Sequence, residues 1–115
     1  MNKGIVVFGG SGFIGSRLCS LFKKGSFKIL DKQKGKSFPN QTEIVDIRNA
    51  KDVVLHTSKT DCVINLAAEH KDDVSPISLY YDVNVEGAKN ICEAARKNGI
   101  KKILFTSSVA IYGLN

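Results

Sequence analysis

Seven consecutive residues, Gly9-Gly10-Ser11-Gly12-Phe13-Ile14-Gly15, hold four glycines in two overlapping patterns. Gly10, Gly12 and Gly15 have the Gly-x-Gly-x-x-Gly spacing, and Gly9, Gly12 and Gly15 have Gly-x-x-Gly-x-x-Gly. Residues without a Cβ allow a tight turn, let backbone amides approach a pyrophosphate, and let a following helix pack close to its strand with its N-terminus facing the phosphates. Glycines in a turn are weak evidence alone. Here an apolar run precedes them and an amphipathic segment follows, which is the setting that gives the pattern its chemistry.

Asp31 lies nineteen positions after Gly12, where a carboxylate accepts hydrogen bonds from the hydroxyls of an adenosine ribose. Its charge repels a 2′-phosphate and so favours NAD over NADP, while Lys32, Lys34 and Lys36 keep NADP open. Asp46-Ile47 pairs a carboxylate for an adenine amino group with an apolar side chain to cover the ring, and is equally consistent with an ordinary strand end. Asn65-Leu66-Ala67-Ala68 ends in two small residues that leave room for a flat or sugar-like group, or for helix packing. Asn84 falls on the same helical face as Ala88, Ile91 and Ala95, the face turned to the sheet. A buried amide costs about 1–3 kcal/mol unless paired, so either backbone or a ligand must satisfy it. Thr106-Ser107-Ser108 puts hydroxyls abruptly after Ile103-Leu104-Phe105, able to bond a substrate oxygen during proton transfer or to close a turn.

The elements that position these residues alternate. Lys3–Gly9 is an apolar strand, and Ile14, Leu18, Leu21 and Phe22 mark one face of a helix that stops near Gly25. Phe27–Asp31 and Thr42–Ile47 are strands separated by a loop with Gly35 and Pro39. Asn49 caps a short helix through about His56, and Asp61–Ala67 is the next strand. Ser75-Pro76 opens a long helix that Asn98-Gly99 closes, and Lys102–Ser107 is the last strand. The order is β-α-β-β-α-β-α-β, with no hairpin dipeptide joining any two strands. It predicts an α/β fold, a Rossmann-like doubly wound parallel sheet of five strands in the order 3-2-1-4-5. The ligand crevice of such a sheet lies outside the carboxyl ends of its strands, where the residues above fall.

Length and composition fit one such domain. The chain has 115 residues, a net charge of +6, 43% hydrophobic and 24% charged residues. It can bury roughly 65% of its unfolded surface without a metal or disulfide staple. No apolar run approaches the ~18 residues of a spanning helix. The glycines at Gly9–Gly15 make the N-terminus a poor secretory signal. Cys19, Cys62 and Cys92 read as small buried thiols in a reducing, cytoplasmic compartment. Residues 1–40 contain eight Lys and Arg against Asp31 alone, and they mostly fall on a helix end and a loop rather than on one continuous nucleic-acid face. A solvated surface that attracts an anionic ligand is the better reading.

The segments VFGGSGFIGS, LD at 30–31, DI at 46–47, NLAA at 65–68, YYDVNVEG at 80–87 and FTSSVAIYG at 105–113 together resemble the extended short-chain dehydrogenase/reductases. Among these they are similar to the NAD-dependent epimerase/dehydratase family acting on nucleotide sugars. The resemblance covers the whole chain in the family's motif order. It implies that the glycine turn with Phe13 and Ile14 holds the pyrophosphate, Asp31 the adenosine ribose, and Asp46-Ile47 the adenine. It further implies that Leu66, Ala67, Ala68 and Asn84 line the dinucleotide site, and that Ser108 binds the reacting sugar oxygen. The implied partner is a nucleotide sugar; a second copy of the chain is expected from the open edge of the strand Lys102–Ser107, and charge and apolar patterning point to no membrane and no nucleic acid.

Two positions depart from the family pattern. Phe8 stands where the family commonly has Thr, and the family's catalytic Tyr-x-x-x-Lys does not occur in these 115 residues. The chain therefore looks like an N-terminal NAD(P)-binding domain over 1–115 of a longer enzyme, truncated before its substrate-binding part and expected to be inactive alone. A stand-alone dinucleotide-binding or redox-sensing module is the alternative.

Overall fold

The computed structural model describes residues 4–23, 25–35, 37–67 and 82–105. Its elements are β1 (Gly4–Phe8), α1 (Phe13–Cys19), β2 (Phe27–Asp31), β3 (Thr42–Ile44), α2 (Ala50–His56), β4 (Thr60–Asn65), α3 (Gly87–Asn98) and β5 (Lys102–Phe105), with a 3-10 turn at Pro39–Gln41 and one π-helical turn at Asp82–Glu86. The order matches the expected alternation. All pairings are parallel, and the five-stranded sheet runs β3-β2-β1-β4-β5.

β1 occupies the centre because nothing in it needs water. Val6, Val7 and Phe8 are all at most 2% exposed. Alternation along the strand sends their side chains to opposite faces and into separate cores. Val6 and Phe8 join Leu30, Val45, Val53, Val63, Ile91 and Ala94 on the side covered by α2 and α3. Val7 joins Cys19, Phe27, Ile29 and Ile64 on the side covered by α1. Phe8 pairs in register with Leu30 on one side and Asn65 on the other, so the chain leaves the sheet at neighbouring points.

The helices are fixed by specific caps. Asn49 Oδ1 accepts the Asp52 N–H at 3.2 Å at the start of α2, as the sequence predicts. Gly99, at φ 68°, closes α3 in the left-handed conformation. Asn98 Nδ2 donates to Val54 O and to Thr57 Oγ1, both at 3.0 Å, and so pins the end of α3 to α2. The Ser75-Pro76 start of the long helix lies outside the described residues.

Several sequence expectations are corrected. α1 ends at Cys19, and the bonds Leu21 N–H to Leu18 O and Phe22 N–H to Cys19 O tighten the chain into a turn. Its buried stripe is Gly15, Leu18, Cys19 and Phe22, not the expected Ile14, Leu18, Leu21 and Phe22. Ile14 and Leu21 are 64% and 81% exposed. The observed spacing i, i+3, i+4, i+7 and the expected i, i+4, i+7, i+8 are both helical, and the close seat of Gly15 against the glycine turn decides the rotation. β3 stops at Ile44, three residues short of the expected Ile47, where the chain turns toward α2. β4 gains Thr60 and ends at Asn65, two residues short of Ala67. Of the three thiols, Cys19 is buried, Cys62 is partly buried and Cys92 is exposed. Cys92 follows buried Ile91 by one helical position, about 100° around α3, which turns it outward.

Candidate functional site

The carboxyl ends of β1, β2 and β4 and the segment after β3 surround a cleft of about 320 Å³. The sequence-predicted residues Gly9, Gly12, Asp31, Asp46, Ile47, Leu66 and Ala67 all line it. The crevice therefore opens where the direction of winding reverses, between β1 and β4.

The glycine turn is shaped by close backbone approach. Gly9 has φ 78°, and a Cβ there would sit 2.7 Å from the Ala67 backbone nitrogen. A Cβ on Gly15 would lie 2.5 Å from Gly10 Cα, which explains why α1 starts so near the strand end. Ser16 N–H donates to Gly12 O at 2.9 Å as the helix begins. The Ser11 hydroxyl oxygen is buried in this turn with no hydrogen-bond partner among the described residues.

Asp31 ties the turn to the second strand. Its Oδ2 accepts the Ser11 backbone N–H at 3.1 Å and its Oδ1 accepts the Lys32 N–H at 2.7 Å. The carboxylate is thus held at the mouth of the cleft by backbone amides from two loops, with its lone pairs only partly used.

Asp46 and Ile47 form the far wall. The guanidinium of Arg48 clasps the Asp46 carboxylate, with Nη2 to Oδ2 at 2.6 Å and Nε to Oδ1 at 3.0 Å. These hydrogen bonds hold the Asp46 carboxyl below its ordinary value of 3.8, against the opposing effect of partial burial. Ile47 is 6% exposed, and its carbonyl accepts from Asn90 Nδ2 at 3.0 Å. On the β4 side, Asn65 Oδ1 accepts the Ala67 N–H at 3.0 Å and Leu66 N–H donates to Phe8 O at 2.8 Å, which sets Leu66 and Ala67 at the rim.

The remaining predicted residues lie elsewhere. Gly15 packs behind the turn, Ile14 is exposed on α1, and Phe13 is the first residue of that helix. Asn84 is half-buried in the π-helical turn ahead of α3 and is not among the cleft's lining residues. Ala68 and Ser108 lie outside the described residues. Lys32, singled out in the sequence for a 2′-phosphate, also lines the cleft, whereas Gln33 and Arg48 were missed as polar lining residues. The signal for Arg48 was present, since a base two positions after Asp46 on a turn can reach back to it.

The sheet order and the glycine turn beside a strand-end carboxylate define a Rossmann-like domain. The chain belongs to the NAD dependent epimerase/dehydratase family, whose model matches residues 5–115. It is 49% identical to the N-acetyl-alpha-D-glucosaminyl-diphospho-ditrans,octacis-undecaprenol 4-epimerase of Escherichia coli O157:H7, over 100% of this chain and 35% of that protein. It is similar to the UDP-N-acetylglucosamine 4-epimerase of Methanobrevibacter ruminantium M1, solved with UDP-N-acetylmuramic acid. The TM-score is 0.81 and the identity 30%, over 99% of this chain and 40% of that one. It also resembles the UDP-glucose 4-epimerase of Brucella ovis solved with NAD, at TM-score 0.81 and 27% identity over 97% of this chain and 38% of that one. The chain thus spans between 35% and 40% of the length of these relatives. Among the described residues no helix is long and apolar enough to cross a membrane.

Proposed function

We propose that this chain is the NAD-holding part of a 4-epimerase acting on a sugar carried by a diphosphate. The observation that carries the reading is the Asp31 carboxylate, fixed by the Ser11 and Lys32 amides at the mouth of the cleft. The residues present fit a dinucleotide: Gly9 and Gly15 hold the turn tight against the backbone of Ala67 and Gly10, Gly12 lines the cleft with no side chain to fill it, and the Ser11 hydroxyl is a buried polar atom still without a partner among the described residues. NAD, when bound, supplies a reversible hydride acceptor.

The chain's own residues bind and orient it. The turn Gly9–Gly15, with Phe13 and Ile14, offers backbone amides to the pyrophosphate. Asp31 accepts from the ribose hydroxyls and disfavours a 2′-phosphate. Asp46 accepts from the adenine amine while Ile47 covers the ring. Leu66, Ala67, Ala68 and Asn84 complete the wall, and Ser108 meets the reacting sugar oxygen. Residues 1–115 act as one NAD-binding domain in this reading.

Two relatives named for the same sugar unit support the substrate class. One is named for N-acetylglucosaminyl diphospho-undecaprenol and the other for UDP-N-acetylglucosamine, so an N-acetylhexosaminyl diphosphate is the shared chemistry. The three free thiols support a reducing, cytoplasmic setting, and the exposed Leu104 and Phe105 on β5 support association of copies. Calorimetric titration of the chain tests the reading: NAD binds and NADP binds more weakly. NADP binding tighter than NAD, or no NAD binding, would overturn it.

A further inference from the structure

We propose that Arg48 is a positioning residue for adenine recognition, locking the Asp46 carboxylate so that it reads the exocyclic amine of the base. The proposal rests on the NAD reading above and adds to it a residue that touches Asp46 rather than the dinucleotide.

The geometry leaves Asp46 with little freedom. Three N–H groups of Arg48 reach it: the backbone N–H to Oδ1 at 2.9 Å, Nη2 to Oδ2 at 2.6 Å, and Nε shared between Oδ1 at 3.0 Å and Oδ2 at 3.1 Å. A guanidinium fork meeting both oxygens fixes the plane of the carboxylate as well as its charge. The clasp occupies the side of the carboxylate that faces Arg48, while the Asp46 side chain stays about 40% exposed in the wall of the cleft, where a donor can still reach an oxygen edge. That suits a single amine hydrogen and repels a carbonyl oxygen at the same place.

The clasp has no evident duty in starting α2. Asn49 caps that helix through Asp52 N–H, and its own N–H donates to Asp46 O at 2.9 Å, all without the two side chains. A pair about 40% exposed on both sides also contributes little stability as a surface ion pair. Yet Asp46, Ile47 and Arg48 are consecutive residues of the cleft wall, and Ile47 is anchored separately by α3 through Asn90. The wall thus combines a fixed apolar surface with a fixed acceptor beside it, the two elements that distinguish adenine from a flat ring in general.

The test compares NAD with nicotinamide hypoxanthine dinucleotide, in which a carbonyl oxygen replaces the adenine amine. Calorimetry on the unaltered chain gives NAD tighter by about tenfold or more. Arg48→Met reduces that preference below about threefold, and Arg48→Lys, which keeps the charge without the fork, falls between. Equal weakening of both dinucleotides in Arg48→Met would show Arg48 merely supporting the turn and overturn the proposal. So would an undiminished preference. If Arg48→Met does not fold, the unaltered chain and Arg48→Lys decide the matter in the same terms. NAD bound without any preference for the amine overturns this proposal alone, whereas NAD not bound at all overturns the functional reading with it.

Discussion

Gly87 stands so close to Ile47 that a Cβ on the glycine would lie 2.8 Å from Ile47 Cγ2. One helical turn later, Asn90 donates to the Ile47 carbonyl. The first turn of α3 therefore holds the same wall residue by its side chain and by its backbone, and the seat of α3 sets the width of the cleft on that side.

Gly87→Ala forces Ile47 to move and costs about 1–3 kcal/mol in stability, the range for overpacking a filled core. Ile47→Ala in the same chain removes the crowding Cγ2 methyl, so the double variant loses less stability than the two single losses added together. Urea denaturation of the two single variants and the double variant measures the coupling.

Asp31→Ala removes the acceptor at the ribose and the anchor of the Ser11 amide. NAD binding weakens by about 1–3 kcal/mol, the scale of hydrogen bonds to a charged group. NADP loses less, because repulsion of its 2′-phosphate is removed with the carboxylate. The ratio of the two dissociation constants is the measurement.

Asp46 gives the fold a dependence on acid. Its carboxyl is held below 3.8 in the folded chain chiefly by Arg48. The resulting stabilisation is complete above the unfolded value and is lost as pH falls through the lower folded value. Arg48→Met removes most of the depression and leaves the smaller pull of Lys32, so the variant and the unaltered chain converge in stability as pH falls from about 6 to about 2. Denaturation midpoints across that range show the convergence.

Burial raises the Cys19 thiol from 9.0 to about 11. A group whose folded value is raised contributes stability below its unfolded value that is lost as pH rises toward the folded one, here between 9.0 and about 11. At neutral pH, iodoacetamide labels exposed Cys92 first and Cys19 only on unfolding, which mass spectrometry resolves by peptide.

Among the described residues β5 pairs with β4 alone, while Leu104 and Phe105 are 55% and 48% exposed. An open edge of this kind templates further pairing. The 115-residue chain self-associates as its concentration rises, and Leu104→Lys suppresses this. Sedimentation velocity over a wide concentration range reports both effects.

The fold was legible because its signals were local and mutually consistent: an apolar β1 followed by glycines, an Asn49 cap, and Gly99 in the left-handed conformation. The order of the strands followed from the rule for right-handed crossovers. The rotation of α1 was not legible, because Ile14 and Gly15 both begin an acceptable helical stripe and a glycine gives no hydropathy signal. The wall at Asp46 was seen only in part. Its carboxylate stood out as a residue type, but the clasp by Arg48 depends on the end of β3 at Ile44 and the turn that follows, which apolar patterning extended to Ile47.

The central place of β1 also orders events during synthesis. One edge of β1 is matched by residues 27–30, but the other is matched by residues 60–65. A chain emerging from the ribosome can close β1, β2 and β3 into a half-sheet once Ile44 is made, and then has no partner for the exposed side of β1 until Asn65 appears. At about 5–20 residues per second, that interval is on the order of seconds. The same non-local pairing slows refolding in solution. The nascent three-stranded half thus carries a bare edge on the most apolar strand in the fold, which exposes it to pairing with other chains.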